Sequence, residues 1–154
     1  MAAIDGSEQS THAADFAISI ARKYEAELIA LYVFYSQVGY AYASYLSKLE
    51  DSPSIAAILD SAKQEANQWF NAINNKIAQV KKTSDKNGYS IKLKRYVIIT
   101  STSISAAIID YAAHNMVNLI VIGTRGRSGI KKVLLGSVAS EVIRDSQCPV
   151  LVVR

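Results

Sequence analysis

Gly123, Gly126 and Gly136-Ser137 are the residues whose spacing carries chemistry. They stand in the stretch Gly123-Thr-Arg-Gly126-Arg-Ser-Gly-Ile-Lys-Lys-Val-Leu-Leu-Gly136-Ser137, behind the apolar run Leu119-Ile-Val-Ile122 and ahead of a helical pattern. A buried strand that empties into a glycine turn lets backbone approach a ligand closely, and the following helix offers unpaired N–H groups and the positive end of its dipole. That arrangement suits phosphate. Four basic residues, Arg125, Arg127, Lys131 and Lys132, fall in the same segment and favour a phosphorylated ligand, although Lys131 and Lys132 could equally form a solvated face. The spacing, G-x2-G-x9-G-S, is neither the G-x-G-x-x-G of a dinucleotide turn nor a Walker loop closing on Gly-Lys-Ser/Thr. Glycines make turns in most loops; the distance from Gly126 to Gly136-Ser137 is what lifts these above ordinary turn residues. No catalytic set accompanies them. Ser7 lacks a His-plus-acid constellation and reads as a helix cap, His12 and His114 read as helix-surface residues, and the single Cys148 as an inert core thiol.

The elements that must position this segment alternate between strand and helix along the chain. Met1 leads almost directly through Ala2-Ala3-Ile4 to Asp5, so the first strand is very short. Ser7 caps a helix whose expected buried face is Ala13, Phe16, Ala17, Ile20 and Ala21. Leu28 to Phe34 forms strand two. Residues 35 to 48 hold Tyr35, Tyr40, Tyr42 and Tyr45 without a clear period, and could be core packing, a lid over a ligand or a partner surface. Ile55, Leu59, Ala62, Ala66, Trp69, Ile73, Ile77 and Val80 predict the longest helix, stopped near Asn87-Gly88. Strand three runs from Ile91 to Ile99, with a polar start that suits a sheet edge. A short helix from about Ser103 to His114, strand four at Leu119 to Ile122, the glycine loop, a helix from Ser137 to about Asp145 and strand five at Pro149 to Val153 complete the chain. This alternation makes an α/β fold, a parallel sheet with right-handed crossovers and helices on both faces. Ligands of such sheets bind beyond the carboxyl ends of the strands, where the winding reverses.

Composition narrows the partners. A chain of 154 residues, half of them hydrophobic, makes one domain spanning 1–154. The net charge of +4 is modest, and outside the glycine segment the basic residues are interleaved with Asp and Glu. Nucleic acid would call for a long basic stripe with stacking aromatics, so it is not an expected partner. The apolar stretches break before membrane-spanning length and no basic-then-apolar leader precedes strand one, so no membrane partner is expected. One cysteine fits a reducing, cytoplasmic setting.

Joined to Pro149-Val-Leu-Val-Val153, the glycine signature closely resembles the nucleotide-binding signature of the universal stress protein family. Asp5-Gly-Ser-Glu8 and Leu31-Tyr-Val33 extend the resemblance over nearly the whole chain. It implies a single Rossmann-like, doubly wound parallel five-stranded sheet in the order 3-2-1-4-5, with Asp5 and Gly123 facing across one crevice. It implies that the Asp5 carboxylate and the backbone at Val33 hold adenosine, and that amides and the hydroxyl at Gly126, Gly136, Ser137 and Val138 hold phosphates. Gly123 and Arg127 complete the candidate set. The implied ligand is ATP, with Mg²⁺ as a companion of the phosphates and no protein residue assigned to the metal. The implied partner is a second copy of the chain, paired through residues 149–153. The chain departs from the family at Thr102 and Ile104, where Gly and Pro are common and nucleoside contacts are made, and at Arg125, where His is common.

Three readings follow. The expected one is a nucleotide-dependent regulator of the stress response that holds ATP and hydrolyses it slowly at most. A true ATP-using enzyme of the same sheet class would need a general base, metal carboxylates or a Ser-Gly-Gly loop after strand one, and none is visible. A nucleotide-free dimeric scaffold would keep the loop empty.

Overall fold

A computed structural model of the chain describes residues 1–36, 53–84, 90–127 and 135–154. Its elements are β1 (Ala2–Ile4), α1 (Glu8–Lys23), β2 (Leu28–Tyr35), α2 (Pro53–Ser84), β3 (Leu93–Thr100), α3 (Ile104–His114), β4 (Ile120–Gly123), α4 (Ser137–Asp145) and β5 (Val150–Val153). The strands pair in parallel in the order β3-β2-β1-β4-β5, with Ala2 beside both Ala30 and Val121. Winding runs one way from β1 to β3 and the other way from β4 to β5, so the reversal falls between β1 and β4. The central strands are apolar at nearly every position because both faces of the sheet are covered.

Alternation along the strands divides the core in two. Ala2, Ile4, Ala30, Tyr32 and Val121 point toward α1 and α2, whereas Ala3, Leu31, Ile120 and Ile122 point toward α3 and α4. On α2 the buried residues Ala62, Ala66, Phe70, Ile73 and Ile77 follow helical spacing. The face of α1 differs from expectation. Ala13, Ala14, Ala17, Ile18 and Ala21 are buried, while Phe16 is 54% exposed. At its start α1 lies close against the end of β4, where a Cβ at Gly123 would stand 2.8 Å from the Gln9 carbonyl carbon.

Strand three begins at Leu93 rather than Ile91 because its pairing starts where β2 does, at Leu28 with Leu93, and it continues to Thr100 beside Tyr35. It is an edge strand, with Lys94, Arg95 and Tyr96 exposed. Ser7 and Ser103 cap α1 and α3, accepting the N–H groups of Ser10 at 3.2 Å and Ala106 at 3.3 Å. Tyr40, Tyr42 and Tyr45, the Asn87-Gly88 stop, Lys131 and Lys132 lie outside the described residues. Among the described residues, no helix is long and apolar enough to cross a membrane.

Candidate functional site

The reversal between β1 and β4 brings Asp5 and Gly123 to the same rim of the sheet. Asp5 is engaged on both oxygens. Its Oδ1 accepts the Ser7 N–H at 3.0 Å and the Ser7 hydroxyl at 2.6 Å, and its Oδ2 accepts the Arg127 N–H at 3.1 Å. The carboxylate therefore ties the glycine loop to the start of α1, a place where negative charge also complements the helix dipole.

The three signature glycines answer different demands. A Cβ at Gly123 would meet the backbone of Gln9 on α1, and one at Gly126 would stand 2.6 Å from Asp5 Oδ2. The first obstruction is backbone and cannot yield without moving α1; the second is the end of a side chain and can rotate away. Gly136 has φ −71° and ψ 159°, open to any residue, and a Cβ there would meet the Thr124 carbonyl oxygen at 3.3 Å. That contact is tight, and a shift of a few tenths of an ångström relieves it. Packing therefore explains the first two glycines more completely than the third.

Gly136 is the N-cap of α4 and has no side chain with which to cap it. Its own N–H donates to the Thr124 carbonyl at 2.7 Å, and the Thr124 N–H donates to the Val153 carbonyl at 2.7 Å, which hangs the loop from β5. The first-turn amides of α4 thus start a helix without a side-chain cap, the condition under which a helix N-terminus takes an anion.

These parts surround one cavity of about 410 Å³, within the size range of small-molecule sites. All eight residues singled out from the sequence line it: Asp5, Val33, Gly123, Gly126, Arg127, Gly136, Ser137 and Val138. Leu31, Ile104 and Ile108 add an apolar wall from β2 and α3. One end of the cavity suits a flat apolar group and the other suits charged oxygens. Ile104 is part of that wall. Thr102 instead turns its hydroxyl to Thr100, 3.2 Å away, outside the cavity lining. A second polar link sets the spacing of the wall: buried Ser105 of α3 donates to the Glu141 carboxylate of α4, with the Ser103 hydroxyl 2.6 Å from Ser105.

The Arg127 side chain takes another course. Its Nη1 donates to the Tyr32 hydroxyl at 3.0 Å and pairs with Glu65 of α2. Burial, opposed by the Arg127 hydrogen bond, raises the Tyr32 pKa above its ordinary value, and a hydrogen bond to Glu65 raises it further. The bond it donates to Tyr32 in turn holds Arg127 more firmly in its charged form. In sequence, Tyr32 reads only as part of strand two, and nothing singles out Glu65. Neither carried a sequence signal for this contact.

The other polar residues stand apart from the cavity. His12 and His114 are exposed and lie against the carbonyls of Arg154 and Asp110, at 3.1 and 2.7 Å. Cys148 is half-buried beside Ser146. Among the described residues, no group of three or more His, Cys, Asp or Glu could hold a metal ion.

The profile of the universal stress protein family matches residues 1–154. The chain belongs to that family. Universal stress protein MJ0531 of Methanocaldococcus jannaschii is 33% identical over 150 residues, covering 97% of this chain and 78% of its own. Universal stress protein UspA from Lactobacillus plantarum superimposes with a TM-score of 0.70 at 26% identity, covering 99% and 94% of the two chains. A universal stress protein solved in complex with cAMP has a TM-score of 0.61 at 26% identity, covering 99% and 93%.

Proposed function

We propose that this universal stress protein binds an adenine nucleotide, ATP in the first instance, and acts as a nucleotide-dependent regulator in the stress response. The observation that carries the reading is the cavity itself, which joins the side-chain-uncapped start of α4 to an apolar wall from β2 and α3. Phosphates would take the amides of Ser137 and Val138 and the Ser137 hydroxyl, while adenosine would lie toward Val33 and Asp5. The related protein solved with cAMP supports an adenine nucleotide as the ligand class. A Mg²⁺ ion would ride on the phosphates and water, since the chain offers it no carboxylate cluster among the described residues.

Regulation suits the site better than turnover. Asp5, the carboxylate on the cavity wall, already accepts three hydrogen bonds and is poorly placed to act as a general base. Hydrolysis is at most slow on this reading. A cytoplasmic setting goes with it, as does a second copy of the chain paired along the edge strand β5.

Mass spectrometry of nucleotide released on denaturing the purified protein, with ATP titrated into any nucleotide-free fraction, tests the proposal. Near-stoichiometric adenine nucleotide, or saturable uptake of ATP, is expected. Neither bound nor bindable nucleotide would leave the scaffold reading, and steady ADP formation over many turnovers would favour an enzyme.

A further inference from the structure

Arg127 lines the cavity, yet its guanidinium is held by Tyr32 and Glu65, neither of which lines it. The N–H meets Asp5 in the glycine loop, but the side chain crosses the carboxyl rim to the sheet face covered by α1 and α2, where it reaches Tyr32 and Glu65. Tyr32 is 2% exposed, so its hydroxyl is a fixed anchor. The α2 helix touches the same rim again one turn later. Trp69, on the same side of the helix as Glu65, packs on the backbone of Gly6, where a Cβ would lie 2.3 Å from the indole. Gly6 follows Asp5 directly. The long helix is therefore tied both to the glycine loop and to the turn that holds it.

A guanidinium engaged by a carboxylate cannot give the same N–H groups to a phosphate until the ion pair opens. A phosphate carries more charge and more acceptor oxygens than a carboxylate, and Arg favours it. We propose that Glu65 competes with ligand phosphate for Arg127, so that a phosphorylated nucleotide draws the guanidinium away from Tyr32 and Glu65 and loosens α2 from the rim. The inference rests on the nucleotide reading above. Glu65 thereby becomes a specificity residue that never touches the ligand: it weakens binding of phosphorylated forms and is indifferent to the nucleoside. It also makes α2 the element that registers occupancy. The pair is partly exposed, with side chains 57% and 27% accessible, so its opening changes affinity by about fivefold or less.

The test uses four full-length proteins, wild type, Glu65→Gln, Arg127→Ala and the double variant, each titrated with ATP and with adenosine by calorimetry. Emission from Trp69, the chain's one tryptophan, reports on α2. Glu65→Gln is expected to tighten ATP about three- to fivefold and leave adenosine unchanged. It should add nothing once Arg127 is Ala, and the ATP-dependent shift of Trp69 emission should be lost in Arg127→Ala. Equal ATP affinity in wild type and Glu65→Gln would overturn the competition while leaving nucleotide binding intact. So would the same gain persisting without Arg127, since Glu65 would then act by general repulsion. Failure of all four proteins to bind ATP would overturn the nucleotide reading and the competition with it.

Discussion

Replacing Gly126 by Ala tests whether Asp5, rather than open solvent, dictates a glycine there. The new Cβ would stand 2.6 Å from Asp5 Oδ2, and the backbone at Gly126 is not left-handed, so this contact is the main obstacle. The obstructing atom ends a short side chain and can rotate away. Doing so costs what that oxygen holds, the 3.1 Å bond from the Arg127 N–H. A hydrogen bond to a charged group is worth about 1.5–3 kcal/mol, and this one is discounted to roughly 1.5 because it is solvent-accessible. Against it stands a gain of about 0.5 kcal/mol from restricting the unfolded chain on Gly→Ala. The net loss is about 1 kcal/mol, or roughly 2–4 °C in Tm for a chain of this size. Asp5→Ala alone should cost about 2–3 kcal/mol through the bonds to Ser7 and Arg127. In the double variant the clash has no partner, so the alanine at 126 should become neutral or slightly stabilising. Urea denaturation followed by circular dichroism would read a coupling of about 1.5 kcal/mol; additivity to within about 0.5 kcal/mol would refute the argument.

Gly123→Ala should cost more than Gly126→Ala, about 2–3 kcal/mol by thermal denaturation, because its Cβ meets Gln9 backbone 2.8 Å away and the whole of α1 must shift. Gly6→Ala combines a φ of +84° with a Cβ 2.3 Å from Trp69; a loss of about 3 kcal/mol and altered tryptophan emission are expected, and an unperturbed spectrum would count against the packing. On β5 the Pro149 and Val153 carbonyls face β4, so by strand alternation the N–H of Val152 points to the outer edge. Val152→Pro should then spare the internal ladder and halve the mass seen by light scattering if a second copy pairs there, whereas a monomeric wild type would exclude that partner.

Element types were legible because an apolar run, a cap and a helical period recur in turn; Ser7 marked the start of α1 as its cap, and the helix expected from about Ser103 begins at Ile104. The strand order was not: periodicity says nothing about which strand neighbours which, and only likeness to a family suggested 3-2-1-4-5. The face of α1 misled because Phe16 and Ile18 are equally apolar in sequence. The choice between them depends on which side of the helix meets the sheet, a tertiary contact that periodicity does not encode. At the site, glycine spacing pointed to the loop and the cavity. It could not reveal that Gly126 answers to Asp5, nor that Arg127 reaches across the rim to Glu65, since both depend on contacts between segments distant in sequence.

Calorimetric titration of ATP into wild type and Gly136→Val, side by side with their thermal transitions, tests the central claim most directly. At Gly136 an added Cβ meets nothing nearer than 3.3 Å, against 2.8 Å at Gly123 and 2.6 Å at Gly126, so a variant there separates ligand access from folding better than one at either. The account predicts saturable one-to-one binding by wild type and loss of that binding in a folded variant. An absence of binding in wild type, or unchanged affinity in the folded variant, would contradict it.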